Sequence, residues 1–429
     1  MNLTIHRGTK EIGGTCIELE SKGNKLILDL GMPLVNDNGD QFKLDTDNYS
    51  IEELVSKGIL PNIPDLYSVS NQNVNIILSH AHQDHYGFLK YASGEIPVWM
   101  TTGTEALMKA SEMFVPGVKS PPIIKNIAAW KTIKIGEFLV TPYLADHSAP
   151  DAVSLLVEAD GKRLFYSGDL RGTGRKKILF ENLIKNPPSN IDCMLLEGTM
   201  MGRGKQPFPT EDSIEDEIVR LLRDQTNIAF IFCSGQNIDR LVSAFRACKK
   251  LNKMFVIDLY TAYVLDSLRA ISKNIPQYDW EGVRVKYWKW DTDKLADSGN
   301  KDFLYKVNKH KIRVEEISER RSDILMYGRR TLFKQIPKKL PNSEDILMIW
   351  SMWSGYLDGT HPAEEFCSSN SLELKQVHTS GHATVEHLQS LAQSIKPKTL
   401  IPIHTFEPEK FAEFFEHVRM TKDGELLQI

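Results

Sequence analysis

The stretch "NIILSHAHQDHYG", Asn75 to Gly87, places His80, His82, Asp84 and His85 directly after an apolar run. The run has the length and β-branched content of a buried strand. The residues after it are of the kinds that hold metal ions. In an extended segment side chains two apart share a face, so His80 and His82 can address one ion. Once the chain turns, Asp84 and His85 can address a second ion beside it. Imidazole and carboxylate together suit zinc, with manganese where oxygen ligands are numerous. Six residues cannot close two such sites, so further ligands are expected at other strand ends.

Three candidates follow in order: His147 in "ADHSAPD", Asp169 in "FYSGDLR" and His404 in "LIPIHTF". Each comes after an apolar run, at the exit of an expected strand. A carboxylate such as Asp169 can bridge two cations through its two oxygens. Singly, Asp169 also fits a turn cap and His404 a core histidine. Their joint occurrence with the cluster favours ligands.

The chain has 429 residues, which suggests two units or one domain with a large insertion. Apolar residues make up 41% and charged residues 25%, as in a soluble globular protein, and no apolar run approaches the roughly 20 residues of a membrane span. The opening "MNLTIHRGTK" lacks the apolar core of a signal peptide. Five scattered cysteines without a C-x-x-C pair argue against a disulfide framework and a cysteine zinc site, and fit a reducing cytoplasm. A net charge of -4 neither demands nor excludes nucleic acid. The stretch from Asn308 to Leu340 is rich in Lys and Arg, a solvated helical surface or a wall for phosphates.

Along the chain, "TCIELESKGNKLILDLG" reads as a hairpin and "SIEELVSKGIL" as a short helix. Strands ending in polar residues continue to "IDCMLLEGTMMG". From about Lys205 the pattern changes to alternating helices and strands, beginning with the capped amphipathic helix "TEDSIEDEIVRLLRDQTN". "EDILMIWSMWSGY" reads as the last strand and loop of that unit. After about Ser371, "LELKQVHTSGH", "TVEHLQSLAQSI" and "TLIPIHTF" read as strand, helix and strand.

The ordered set H-x-H-x-D-H, His147, Asp169 and His404 resembles the metallo-β-lactamase superfamily. "DHSAPDAVSLLV", "GKRLFYSGDLR", "HTSGHA" and "KPKTLIPIH" resemble more narrowly its β-CASP nucleases of the RNase J kind, and "FCSGQNIDRL" resembles that family's insert more weakly. The resemblance implies an α/β fold: a metallo-β-lactamase αββα sandwich (residues 1–204 and 371–429) carrying an inserted α/β β-CASP domain (residues 205–370). The sequence ends soon after His404, so RNase J's C-terminal domain is expected to be lacking.

By the same resemblance, His80, His82 and His147 hold one Zn²⁺, and Asp84, His85 and His404 hold the other, with Asp169 bridging and Mn²⁺ as the alternative metal. Glu197 falls where the family places an acidic residue and His382 where it places a histidine near the scissile phosphate. Asp84, His382 and Glu197 are therefore the expected catalytic residues. His378 is expected to contact a backbone phosphate or to be structural. Ser234 and Asn237 in "SGQN", and Ser354 and Gly355 in "WSG", are candidates for a terminal phosphate. Arg329 and Arg330, with Arg320 and Arg321, are candidates for the wall of a nucleic-acid groove. The aromatics of "YDWEGVRVKYWKW" fit base stacking and strand packing alike.

The function expected is that of a cytoplasmic metal-dependent ribonuclease, endo- or 5′-exonucleolytic, whose partner is RNA ahead of DNA, with no membrane and a homodimer left open. The rivals are a hydrolase of small esters, thioesters or lactams, a DNA-specific β-CASP nuclease, and an inactive scaffold. The long insert and the "TSGHA" segment speak against a small substrate, and an inactive scaffold is expected to have lost ligands.

Overall fold

Every expected ligand stands at the C-terminal exit of a strand or in the loop that follows it, and two sheets bring those exits together. The computed structural model describes residues 1–35, 42, 48–68, 73–204, 207–334, 344–357 and 359–429. Two compact units emerge. The first comprises Met1–Glu112, Gly117–Gly204 and Gly381–Ile429; the second comprises Met113–Pro116 and Lys205–Ser380.

The first unit holds a seven-stranded and a six-stranded sheet. The seven-stranded sheet runs, in spatial order, Leu426–Gln428, Asn2–Arg7, Cys16–Ser21, Asn24–Leu28, Val74–Ile77, Val98–Thr101 and Ile124–Ile127. The six-stranded sheet runs Thr399–Ile403, Cys193–Glu197, Lys162–Tyr166, Val153–Ala159, Phe138–Leu144 and Ile133–Ile135. Alternation decides which faces meet. Leu3, Ile5, Leu26 and Leu28 of one sheet and Leu155, Val157, Leu164 and Tyr166 of the other share one buried cluster. Leu156, Phe165, Met194 and Leu196 point the opposite way, against Phe180, Leu183, Leu388 and Leu391 of the helices Lys177–Lys185 and Val385–Ile395. The fold is the metallo-β-lactamase αββα sandwich, with an α/β insert.

Local chemistry explains the elements. The hairpin Cys16–Ser21/Asn24–Leu28 turns on Lys22 and Gly23, both with positive φ (48° and 76°), which matches the twist of its strands. Ser50 caps the helix Ile51–Ser56 through a capping box with Glu53, and Thr210 caps Glu211–Arg223 in the same way with Ser213.

The second unit is a six-stranded, wholly parallel sheet in the order Val283–Lys286, Met254–Asp258, Ile324–Tyr327, Ala229–Phe232, Leu347–Trp350 and Leu374–Gln376. Its inner strands are buried on both faces, so they read as continuous apolar runs. The Lys/Arg-rich stretch departs from the surface expected of it. It contains Ile324–Tyr327, a fully buried strand near the middle of the sheet. Residues 335–340 of that stretch, and the start of the expected insert at 205, lie outside the described residues. Leu374–Gln376 pairs with Leu347–Trp350, so residues up to Ser380 pack with the second unit, ten beyond the expected boundary. All five cysteines are buried thiols.

Candidate metal centre

The strand Val74–Ile77 ends in the loop that carries Ser79 and His80, and the chain turns into one helical turn at Gln83–Tyr86, with His82 at its N-cap. His82 lies on extended backbone, while Asp84 and His85 project from the turn. Gly31 lets this turn approach: a Cβ there would stand 1.7 Å from the Asp84 carbonyl oxygen. His147 follows Phe138–Leu144, Asp169 follows Lys162–Tyr166, and His404 directly follows Thr399–Ile403.

The seven residues converge as two groups that share Asp169: His80, His82, His147 and Asp169, and Asp84, His85, Asp169 and His404. In each group one ligand atom per residue lies within 4.8 Å of the others. His82 Nδ1 lies 3.1 Å from His80 Nε2 and 3.2 Å from His147 Nε2. Asp169 Oδ2 lies 3.2 Å from His85 Nε2, and Asp84 Oδ2 lies 3.4 Å from His404 Nε2.

Hydrogen bonds from behind fix which ring nitrogen faces inward. The Asp29 carboxylate accepts from the Ser79 N–H (2.7 Å), the Ser79 hydroxyl (2.7 Å), the Tyr166 hydroxyl (2.5 Å) and His85 Nδ1 (2.8 Å). Because the Ser79 hydroxyl donates to Asp29, its oxygen is left to accept from His80 Nδ1 at 3.0 Å. His147 Nδ1 donates to the Gly381 carbonyl at 2.8 Å. His80, His85 and His147 thus turn Nε2 toward the cluster, the arrangement that orients imidazole ligands in metal sites. His404 is held differently. Its Nδ1 lies 2.9 Å from the Thr199 hydroxyl, its Nε2 accepts from the Gly13 N–H at 3.0 Å, and its backbone is left-handed with φ +51°. Asp146 adds a brace: it accepts from the Gly174 N–H at 2.8 Å, and its carbonyl accepts from the Arg171 N–H at 2.7 Å, tying the His147 loop to the Asp169 loop.

The electrostatics separate the rings. Burial, reinforced by the neighbouring rings, holds His80 and His147 well below the usual histidine range. Burial lowers His82 as well. Burial also disfavours the charge of His85, but Asp169, Asp29 and Asp84 outweigh it and lift this ring well above the ordinary value. Asp84 is held down to about 2: burial opposes its charge, and His85 and His404 more than compensate. Asp169 lies well below the carboxylate range for a similar reason, with His404, His85 and His382 overcoming burial.

Glu197 ends the strand Cys193–Glu197 and is fully buried, accepting from the Thr199 N–H (2.9 Å) and the Ala383 N–H (3.2 Å). His382 Nδ1 stands 3.5 Å from Glu197 and 3.7 Å from Asp169. Burial opposes its charge, but these two carboxylates raise it above the usual histidine value.

The remaining candidates belong to the second unit. Ser234 and Ser354 lie beyond the ends of the adjacent strands Ala229–Phe232 and Leu347–Trp350. The Asn237 side chain accepts from the Arg240 N–H and so caps the helix Ile238–Lys250. Gly355 lies exposed in the turn Ser354–Tyr356. His378 Nδ1 lies 3.5 Å from Arg240, a fully buried guanidinium paired with Glu211. Arg329 differs from a groove wall: its guanidinium pairs with Asp258 and with Asp291 (2.8 Å), both buried. Arg330 is exposed, and Arg320 lies 3.8 Å from Asp323. Of "YDWEGVRVKYWKW", Tyr278 is buried and Trp280 packs on Phe245 at 5.5 Å, so packing accounts for these two.

Sequence reasoning missed Asp29, Ser79, Thr199 and Asp146. Asp29 did carry a signal, since it closes the apolar run "KLIL" at a strand exit as the ligands do.

Residues 68–224 match the profile of the Beta-lactamase superfamily domain, and residues 371–425 match the Zn-dependent metallo-hydrolase RNA specificity domain. Ribonuclease J of Helicobacter pylori (strain ATCC 700392 / 26695) is 22% identical over 425 residues, covering 94% of this chain and 56% of its own length. Ribonuclease J of Mycobacterium tuberculosis (strain ATCC 25618 / H37Rv) is 22% identical over 424 residues, covering 94% of this chain and 68% of its own length. The chain thus spans little more than half of the Helicobacter protein. A protein of unknown function from Enterococcus faecalis V583 superposes with a TM-score of 0.77 at 22% identity, covering 99% of both chains, which bears on the fold. The fold is that of the metallo-β-lactamase superfamily, and the clustered His and Asp side chains lie at its strand exits. The closing segment and these relatives make the chain similar, more narrowly, to β-CASP proteins of the RNase J kind.

Proposed function

We propose that the chain is a metal-dependent phosphodiesterase that cleaves RNA, with two Zn²⁺ held by His80, His82, His147, Asp84, His85, His404 and a bridging Asp169. The observation that carries this reading is the state of Asp169. Both its oxygens are buried without a well-formed hydrogen bond, the nearest donor being His85 Nε2 at 3.2 Å, at the point where six ligand-type side chains converge. A buried carboxylate of that kind is costly unless it faces cations. Imidazole nitrogens and carboxylate oxygens, braced from behind, are also the donor set zinc takes.

Two such cations, held there by these residues, would supply Lewis acidity toward a water and toward the phosphoryl oxygens. The protein groups do the rest. His80, His82 and His147, lowered by burial, are already neutral and offer their lone pairs without losing a proton. His382, whose protonated form Asp169 and Glu197 favour, is placed to hand a proton to the departing ribose oxygen. Glu197, itself pinned by two backbone N–H groups, holds that ring in place. The match of residues 371–425 to an RNA specificity domain, and the name of the relatives, favour RNA over DNA.

The test is incubation of the zinc- or manganese-loaded protein with end-labelled RNA and DNA of one sequence, with metal content measured in parallel. RNA should be cut, with about two ions per chain. His382→Ala should keep both ions and lose about 10²- to 10⁴-fold in cleavage. Equal cutting of DNA would remove the RNA assignment, and full activity of His382→Ala would remove the proton donor.

A further inference from the structure

In the parallel sheet of the second unit, the connections from two neighbouring strands leave in opposite directions. Ala229–Phe232 continues through the helix Ile238–Lys250 toward Met254–Asp258 on one side. Its neighbour Leu347–Trp350 continues through the helix Pro362–Ser369 to Leu374–Gln376 on the other. Diverging connections open a crevice outside the carboxyl ends of the strands, where open α/β sheets take their ligands.

Directly after Leu347–Trp350 the chain presents two aromatic rings to solvent, Trp353 (46% exposed) and Tyr356 (48% exposed). The indole of Trp353 is not left to wander. A Cβ at Gly355 would lie 2.3 Å from it, so the ring rests against backbone at an approach that only glycine allows. The Trp353 carbonyl accepts from the Trp350 indole N–H at 3.3 Å and from the Tyr356 N–H at 3.2 Å. The Tyr356 ring meets the indole at 81° with centroids 5.6 Å apart. Behind the turn, Arg240 donates to the Ser351 carbonyl at 2.7 Å, and the Gln376 amide donates to the Met352 carbonyl at 2.9 Å. About half of each residue is packed into the turn, which holds the rings still, and the other half stays open to solvent. A flat face held in that way suits a flat partner.

We propose that Trp353, steadied by Gly355 and Tyr356, is a stacking platform for an unpaired nucleobase of the RNA substrate. This rests on the nuclease reading above and adds to it a residue that meets the substrate. Every base has a π face, so the platform is indifferent to sequence. It does require a base that is not already stacked inside a duplex, so the RNA must be single-stranded where it meets this turn.

The experiment compares the metal-loaded wild type, Trp353→Ala and Trp353→Phe in binding two oligonucleotides of equal length, one single-stranded RNA and one with the same backbone but abasic throughout. Trp353→Ala should bind the RNA about tenfold more weakly, with Trp353→Phe recovering most of the loss. The two proteins should differ little on the abasic strand. Undiminished RNA binding by Trp353→Ala, or an equal loss on the abasic strand, overturns the proposal. So does a wild-type dimer that Trp353→Ala converts to monomer with RNA affinity intact, because the rings would then serve a second copy of the chain. Hydrolysis of bis(p-nitrophenyl) phosphate by the wild type reads the metal centre without bases. Its failure counts against the nuclease reading, whereas the platform stands or falls on binding.

Discussion

Replacing Asp29 by Asn should separate metal affinity from folding. Asp29 ligates nothing itself, yet its carboxylate accepts four hydrogen bonds at 2.5–2.8 Å, one of them from His85 Nδ1. Asparagine keeps the shape and tolerates the left-handed backbone at this position (φ +61°). The Ser79 N–H can still donate to the amide oxygen, but where Oδ2 served three donors, the hydroxyls of Ser79 and Tyr166 and the ring of His85, the amide offers only two N–H groups. His85 has one way to adapt, which is to take the new N–H at Nδ1 and move its own proton to Nε2, the nitrogen 3.2 Å from Asp169. That proton occupies the lone pair a cation needs. Losing such a brace typically weakens metal binding about 10- to 100-fold, or roughly 1.4–2.7 kcal/mol. The metal-free protein should lose about 2–3 kcal/mol as hydrogen bonds to a charge become neutral ones. Competition with a chromogenic chelator reads the first number and urea unfolding the second. The loss should fall mainly on the ion that His85 would hold, because His147 keeps its partner, the Gly381 carbonyl. An Asp29→Asn protein that holds both ions as tightly as wild type, or weakens equally at both, would refute the reasoning.

Metal binding should also release protons. In the metal-free protein His85 is raised by its carboxylates, so it is charged at pH 7 and must give up that proton to become a ligand. Its contribution to metal-free stability is complete below the unfolded value of about 6.5 and disappears as pH rises through the folded value. His80 and His147 run the other way, losing stability as pH falls below about 6.5, because the unfolded chain then binds the protons they refuse. Calorimetry in buffers of different ionisation enthalpy should show about one proton released per chain at pH 7 and fewer as pH rises; a heat independent of buffer contradicts this. In the second unit, Arg240→Ala leaves Glu211 buried without its bidentate partner, and should cost about 3–5 kcal/mol in denaturant unfolding.

The seven clustered residues were legible as candidates because each keeps a local signature, an apolar run followed by His or Asp, that survives without knowledge of the partners. Their supports were not. Asp29 meets a ring 56 residues away and Thr199 one 205 residues away, and no spacing rule connects such pairs. Ile324–Tyr327 was hidden for another reason: four apolar residues among Lys and Arg carry too short a period to be told from an amphipathic surface. Leu374–Gln376 was readable as a strand, but which sheet it joins depends on pairing with Leu347–Trp350. Arg329 looked like a free cation because Asp258 and Asp291, which neutralise it, lie 71 and 38 residues earlier in the chain.

His404 accepts from Gly13 and donates its backbone N–H to the Gly8 carbonyl, and the first strand, Asn2–Arg7, is zipped to Leu426–Gln428. The centre is therefore stitched from segments some four hundred residues apart. During synthesis on a ribosome, a nascent chain can present His80, His82, Asp84, His85, His147 and Asp169 long before His404 leaves the exit tunnel. A chain truncated before that point keeps its early ligands, yet one ion lacks a donor and the opening strand lacks its partner. Such a chain holds most of the cluster while the element that closes it is still to come.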